Sequence, residues 1–373
     1  MKPRVLFVAT VLRAHVLVFH VPYMRWFQEQ GYEVHLCCRN DMPEPVESVP
    51  GCDRFIELPF SRSPFSVSNV KVFGQLKRLI DEGGYSLIHC NTPVGGMLGR
   101  LAARRARRRG TKVVYTAHGF HFFTGAPVKN WLLFYPVERF LSRFTDLLIT
   151  INGEDYARAR RFHAQKTALV SGVGVDLTRF EGPLDCAAVR RALGLGEEDT
   201  AVICVGEHSV RKNHETALRA VAPLERAHLL FCGVGEREEA LKALAGELGM
   251  AERAHFLGFR RDVPALLRAS DIFLFPSLQE GLPVAQMEAM AAGLPCVVSN
   301  VRGNADLIQP GEGGYLNAPR DWKGFSEDVK RLMADAPLRR EMGNRNRRVM
   351  QGYSLDEALR QMAALYQELL ARD

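Results

Sequence analysis

The sequence predicts an α/β protein built from two doubly wound parallel-sheet domains, and three observations carry the prediction. The chain has 373 residues, too many for one core at roughly 150 residues per domain. Short apolar runs that read as strands alternate with longer helical patterns from end to end, the arrangement of parallel sheets with helices on both faces. A glycine-bearing stretch, residues 170–183, opens on a strand, closes in a turn and parts two such series. The expected division is an N-terminal domain of residues 1–170, a C-terminal domain of residues 171–354 and a terminal segment of residues 355–373. Apolar spacing over Leu355–Leu370 spells one amphipathic helix in that last segment.

In the first half the strand-like runs include residues 4–9, 33–38, 86–90, 112–117 and 146–151; in the second they include 201–205, 228–232, 255–257, 272–275 and 296–299. Lys2 and Arg4 ahead of an apolar run resemble a secretion leader, but Arg13 and His15 interrupt the run and no small-residue cleavage site follows. It reads as the first strand. Residues 10–15 behind it hold no glycine, which speaks against a nicotinamide site there. No stretch approaches the roughly 18 apolar residues needed to cross a bilayer. Cys37, Cys38, Cys90, Cys204, Cys232 and Cys296 fall inside strand-like runs, as small hydrophobes of a reducing cytoplasm rather than a disulfide framework.

Charge is uneven. Residues 1–170 carry 24 Lys/Arg against 13 Asp/Glu, a net of +11, and the remainder carries 25 against 29, a net of −4. The N-terminal half thus expects an anionic neighbour, a membrane surface or a phosphorylated acceptor. Arg100, Arg104, Arg107 and Arg108 fall on one face of an ideal helix, opposite Met97, Leu98 and Leu101. The segment 120–144 that follows carries Phe122, Phe123, Trp131, Phe134 and Tyr135. A solvated face is the plain reading; an anionic membrane interface, with a peripheral protein on the inner face of the cell membrane, is the sharper one. Nothing resembling a nucleic-acid recognition module accompanies these arginines.

The richest stretch is residues 277–300, SLQEGLPVAQMEAMAAGLPCVVSN. A strand ends at Phe275, a loop carries Glu280 and Gly281, Pro283 suits the first turn of a helix, and Gly293 with Pro295 ends that helix. Glu288 then lies mid-helix among Val284, Met287, Ala289, Met290 and Ala291. A carboxylate in such company is costly unless hydrogen-bonded, and the two adjacent hydroxyls of a ribose would satisfy it. Free N–H groups at the helix start, around residues 282–285, make a ready phosphate site.

Glu280, seven intervening residues and Glu288 resemble the E-x7-E motif of the retaining glycosyltransferases of family four, of GT-B fold. The resemblance runs through residues 206–212, the FLGFRRDVPALL run, the VGVD…F block around Asp176 and Phe180, and RGNADLI at 302–308. CNTPVGGMLGRLAAR and AHGFHFFTGAPVKNWLLFYP are similar to members that build bacterial capsule and exopolysaccharide. It implies two Rossmann-like domains facing a central cleft, an acceptor-side N-terminal domain, a donor-side C-terminal domain and a last helix crossing back. It also implies a metal-independent hexosyltransferase taking a hexose or N-acetylhexosamine from a nucleotide-sugar, UDP in the first instance, to a glycan or polyprenyl-diphosphate-linked acceptor. His118 and Glu280 would be its catalytic residues. Gly206, Arg211, Lys212, Phe259, Arg260, Gly281, Leu282, Pro283, Val284 and Glu288 would bind the donor, with Lys212 on the diphosphate. His15 and Asn91, each after a strand, would touch the acceptor. The family places an Arg directly after the glycine matched by Gly206, where this chain has Glu207, so Arg211 or Arg302 is left to supply that charge.

No cofactor and no metal are expected: no Asp-x-Asp occurs in the sequence, and His118 with His121 lacks an apparent third ligand. The GVG at residues 233–235 reads as a tight turn rather than a phosphate loop. Two rival readings share the fold: a nucleotide-sugar epimerase, and a non-catalytic partner protein.

Overall fold

The computed structural model describes residues 2–371, so Met1, Arg372 and Asp373 of the expected domains lie outside the described residues. Two compact units emerge. One runs to Val173 and takes in the last helix from Ala358; the other is Gly174–Glu357.

The first unit holds a seven-stranded parallel sheet of β1 (Arg4–Val11), β2 (Glu33–Arg39), β3 (Arg54–Glu57), β4 (Tyr85–Asn91), β5 (Lys112–Ala117), β6 (Leu147–Thr150) and β7 (Lys166–Leu169), in the order β3-β2-β1-β4-β5-β6-β7. Side chains alternate across it, as the pleat requires. Leu6 and Val8 of β1 meet Val72, Leu76 and Ile80 of the helix Ser68–Gly83 and Val94 and Leu98 of the helix Pro93–Ala102. Phe7, between them, packs edge-on against Phe27, whose ring also meets Tyr366 of the last helix, Leu355–Leu370. Helices thus cover both faces.

The second unit holds β8 (Thr200–Val205), β9 (Ala227–Cys232), β10 (Ala254–Phe256), β11 (Ile272–Phe275), β12 (Cys296–Ser299) and β13 (Gly314–Asn317), parallel and in the order β10-β9-β8-β11-β12-β13. Its core joins Val202, Leu229, Phe231, Leu274 and Val297 to Leu218, Leu241 and Val329 from the helices. In each sheet the chain winds outward to one side and then to the other. The order reverses between β1 and β4 in the first unit and between β8 and β11 in the second. Such reversal points leave a crevice outside the strand carboxyl ends, where ligands of open α/β sheets bind.

Three expectations need correction. Strands β3 and β13 lie outside the runs named from the sequence, and the strand expected to open residues 170–183 falls just ahead of them, as β7. Pro283 precedes the helix Val284–Ala292 as its cap instead of entering the first turn. The arginine face does not exist as one surface. The helix breaks at Ala103, and Arg100 is fully buried over the Tyr115 ring, its guanidinium bonding the Gly96 carbonyl and Glu138, both at 2.8 Å. Arg107 grips Asp146 with two nitrogens at 2.8–3.0 Å. Only Arg104, Arg105, Arg108 and Arg109 of that run stay exposed.

Candidate functional site

In the second unit most of the expected donor residues converge at the β8/β11 reversal. β8 passes through Gly206 into the helical turn Val210–Lys212, and Asn213, in left-handed backbone at φ 56°, starts the helix His214–Val221. Asn tolerates that conformation better than most residues. Its Nδ2 donates to the carbonyls of Pro276 (2.9 Å) and Pro319 (2.7 Å), and the Leu278 N–H donates to the Arg211 carbonyl (2.8 Å). These bonds stitch the loop after β8 to the loop after β11.

On that frame one carboxylate oxygen, Oε1 of Glu280, accepts from Lys212 Nζ at 2.7 Å, Arg211 Nη1 at 3.0 Å and Ser277 Oγ at 2.5 Å. Glu280 and Lys212 are both buried, and Nζ lies 4.5 Å from the centroid of the Phe275 ring. Burial lowers the Lys212 pKa, and the Glu280 carboxylate beside it opposes that shift. Arg302 Nε donates to the Glu280 carbonyl at 3.0 Å. Both candidates for the charge missing at Glu207 therefore close on Glu280, whereas Glu207 is exposed. Arg211 and Lys212 thus bring two positive charges to one place, which suits an anion.

The helix Val284–Ala292 starts directly behind Glu280, with Gly281, Leu282 and Pro283 as the approach and no side chain capping its first N–H groups. Those groups and the helix dipole favour a phosphate. The approach is packed tightly: a Cβ on Gly303, at φ 80°, would lie 2.5 Å from the Gly281 carbonyl oxygen. One turn into the helix, half-buried Glu288 accepts from Arg179 Nη1 at 3.0 Å. Burial raises the Glu288 pKa and Arg179 offsets part of that. Arg179 belongs to the turn Leu177–Phe180, capped by Asp176. Phe259 and Arg260 follow β10 at the same sheet edge but two strands from β8; Phe259 is exposed and Arg260 is held by Asp262 at 2.6 and 2.8 Å. A Cβ on Gly233 would sit 2.0 Å from the Gly206 carbonyl oxygen, so that glycine serves close backbone packing.

In the first unit His15 lies in the π-helical turn Leu12–Val16 after β1, and His118 lies just after β5. Their ring centroids are 4.7 Å apart. Burial pushes the His118 pKa down to about 4, so its imidazole is neutral at physiological pH. Asn91, expected at the acceptor, is fully buried as the last residue of β4, its Nδ2 turned to the His89 carbonyl, and it reaches no surface. Beside the reversal point, Thr10 and Thr92 pair through their hydroxyls at 2.6 Å, and Thr92 adopts φ 62°, an outlier for a β-branched residue.

A cavity of about 510 Å³ opens there, lined by His15, Arg62, Phe65, Met97, Phe134 and Glu138 among others. Of the aromatic segment, Phe122 is fully buried and Trp131, Phe134 and Tyr135 pack against the core. The exposed apolar residues of that region are instead Val128, Leu132, Leu133, Val137 and Phe140.

Sequence reasoning missed Ser277, Asn213, Arg179 and Thr92. Arg179 lies inside the VGVD…F block; the others carry no signal that a single sequence shows.

Residues 187–349 match the family described as glycosyl transferases group 1, and residues 4–152 match that described as glycosyl transferase 4-like. The chain is 38% identical over 381 residues to the protein named "Putative glycosyltransferase EpsD" of Bacillus subtilis (strain 168), covering 100% of this chain and 98% of that one. It is 27% identical over 353 residues to the UDP-Gal:alpha-D-GlcNAc-diphosphoundecaprenol alpha-1,3-galactosyltransferase of Escherichia coli, covering 91% and 90%. The fold matches Anabaena Alr3699/HepE in complex with UDP and glucose, with a TM-score of 0.80 at 18% identity over 98% and 100% of the chains. It also matches sucrose-phosphate synthase from Thermosynechococcus elongatus, with a TM-score of 0.77 at 23% identity over the full length of both. The chain belongs to the family-4-like glycosyltransferases of GT-B fold, enzymes that transfer a sugar from a nucleotide-sugar.

Proposed function

We propose that this enzyme is a retaining, metal-independent transferase that moves a hexose or N-acetylhexosamine from a UDP-sugar to a glycan or polyprenyl-diphosphate-linked acceptor in surface polysaccharide synthesis. The observation that carries the reading is the Arg211, Lys212 and Glu280 group in front of an uncapped helix start at the β8/β11 reversal. Breaking the bond from sugar to phosphate makes an oxocarbenium-like sugar and a diphosphate whose negative charge grows. Lys212 and the helix N–H groups stabilise that charge. Glu280 stands at the transferred sugar, and donor diphosphate competes with it for Lys212. Glu288 holds the ribose, and Phe259 and Arg260 frame the base. In the N-terminal unit, His118 is a catalytic residue and His15 touches the acceptor. The E. coli relative, whose name gives a UDP-sugar and a diphosphoundecaprenol acceptor, supports the choice of substrates.

A panel of nucleotide-sugars read by nucleotide release tests the donor. A UDP-sugar should release UDP together with a new glycoside. Epimerised donor with no glycoside would instead make the enzyme an epimerase. Turnover is expected to survive excess EDTA, because Lys212 and the helix start supply the positive field that a metal supplies elsewhere. Activity lost on chelation and restored by Mg²⁺ or Mn²⁺ would contradict the metal-free mechanism.

Among the described residues no helix is long and apolar enough to cross a membrane. Arg104, Arg105 and Arg108, with the exposed apolar residues of the helix Val128–Leu141, are proposed to bring the N-terminal unit to an anionic leaflet. Cosedimentation with anionic but not zwitterionic vesicles is expected, released by 1 M salt, where the Debye length falls to about 3 Å. Changing the three arginines to Glu should weaken it; indifference of the native protein to anionic vesicles at low salt would reduce this face to a solvated surface.

A further inference from the structure

We propose that His15, His20 and His118 form a binding site for one Zn²⁺-like transition-metal ion, and that filling it switches the enzyme off. One ring nitrogen from each of the three lies within 4.8 Å of the others. The Nε2 atoms of His15 and His20 are 3.0 Å apart. Ligand bonds of 2.0–2.1 Å in a tetrahedron set nitrogens roughly 3.3 Å apart, so rotations of the rings bring the set to that size.

The donor set is chemically selective. Three imidazoles without a carboxylate suit Zn²⁺, Co²⁺, Ni²⁺ or Cu²⁺ and not Mg²⁺ or Mn²⁺. A neutral imidazole keeps one lone pair free, the form that ligates a metal. His118 Nε2 is buried and has no hydrogen-bond partner among the described residues. A neighbouring fourth histidine shows the contrast. His89 uses both nitrogens, on the Thr116 and Tyr366 hydroxyls at 2.8 and 2.9 Å, and has none to offer. His15 also lines the cavity of about 510 Å³, which leaves a fourth coordination position a side open to small ligands. Its π-helical turn is a rare element, frequent at functional sites.

The inhibitory consequence rests on the reading that His118 is catalytic and His15 serves the acceptor, since a metal would occupy the lone pairs that they need. The binding itself does not rest on it. Chelator-treated full-length protein titrated with CoCl₂ is expected to develop the visible bands of four-coordinate Co²⁺, saturating at one equivalent and displaced by Zn²⁺. His20→Gln should abolish the bands and weaken Zn²⁺ by more than the roughly 10- to 100-fold that loss of an outer-shell partner costs. Its metal-free turnover should match wild type, now insensitive to Zn²⁺ that inhibits the native enzyme. Absence of stoichiometric Co²⁺ bands in the folded wild type overturns the site, whatever the variant does. So does unchanged metal binding in folded His20→Gln. One equivalent of bound Zn²⁺ with undiminished turnover would instead overturn the catalytic role of His118 and the acceptor role of His15 while the site stands.

Discussion

Lys212→Ala is expected to lower turnover about 10²-fold or more at saturating donor, the usual loss when one preorganised donor to a developing charge is removed. The side chain has no other task of that weight. Its ammonium is buried between the Glu280 carboxylate and the Phe275 ring, a place that draws an anion inward and keeps bulk water from screening the charge. The substitution leaves Glu280 with Arg211 and Ser277 as partners, so the carboxylate is not stranded and the fold should persist. Initial rates from nucleotide release, beside a thermal melt of each protein, separate the two effects. A folded variant within a few-fold of the native rate would remove Lys212 from the diphosphate. Lys212→Arg keeps the charge but spreads it over a planar fork, so partial recovery is expected.

Burial decides much of what the sequence disclosed and what it hid. Central strands are buried on both faces and write themselves as apolar runs, which is why β1, β5, β8 and β11 stood out. Strands β3, β7 and β13 are sheet edges with partly exposed residues, and RFIE, KTAL and GYLN carry no such run. The candidate donor residues Glu280 to Glu288 were legible because strand, loop and helix follow one another within residues 272–292. Arg179 was not, since its bond to Glu288 spans 109 residues. The arginine helix misled for a related reason. A helical wheel over residues 97–109 assumes one continuous helix and lets the large residues choose the buried face. Here the glycines choose it: a Cβ on Gly96 would meet the Tyr115 ring at 2.3 Å and one on Gly99 the Cys90 sulfur at 2.5 Å. With Gly95, Gly96 and Gly99 against the sheet, Arg100 is carried inward over Tyr115. Glycines at that spacing were the available signal.

Glu288→Gln is expected to weaken nucleotide binding about ten- to a hundredfold with the fold intact. A hydrogen bond to a charged group is worth roughly 1.5–3 kcal/mol, and each 1.4 kcal/mol is about a factor of ten. The amide retains the size of the carboxylate and the contact distance to Arg179, so packing in the helix Val284–Ala292 changes little. What it loses is the second accepting oxygen that two ribose hydroxyls require. The pH dependence supplies a second readout. Burial raises the Glu288 pKa, so on acidification its carboxyl takes a proton earlier than an exposed Glu does and ceases to accept from both hydroxyls. Native affinity should therefore fall as pH drops toward that raised value, and Glu288→Gln should lack this component while keeping whatever the nucleotide's own phosphate contributes. Calorimetric titration of UDP into both proteins at several pH values measures the two effects together. Equal affinities in folded proteins, with identical pH profiles, would leave Glu288 as a helix carboxylate paired to Arg179 and assign the ribose elsewhere.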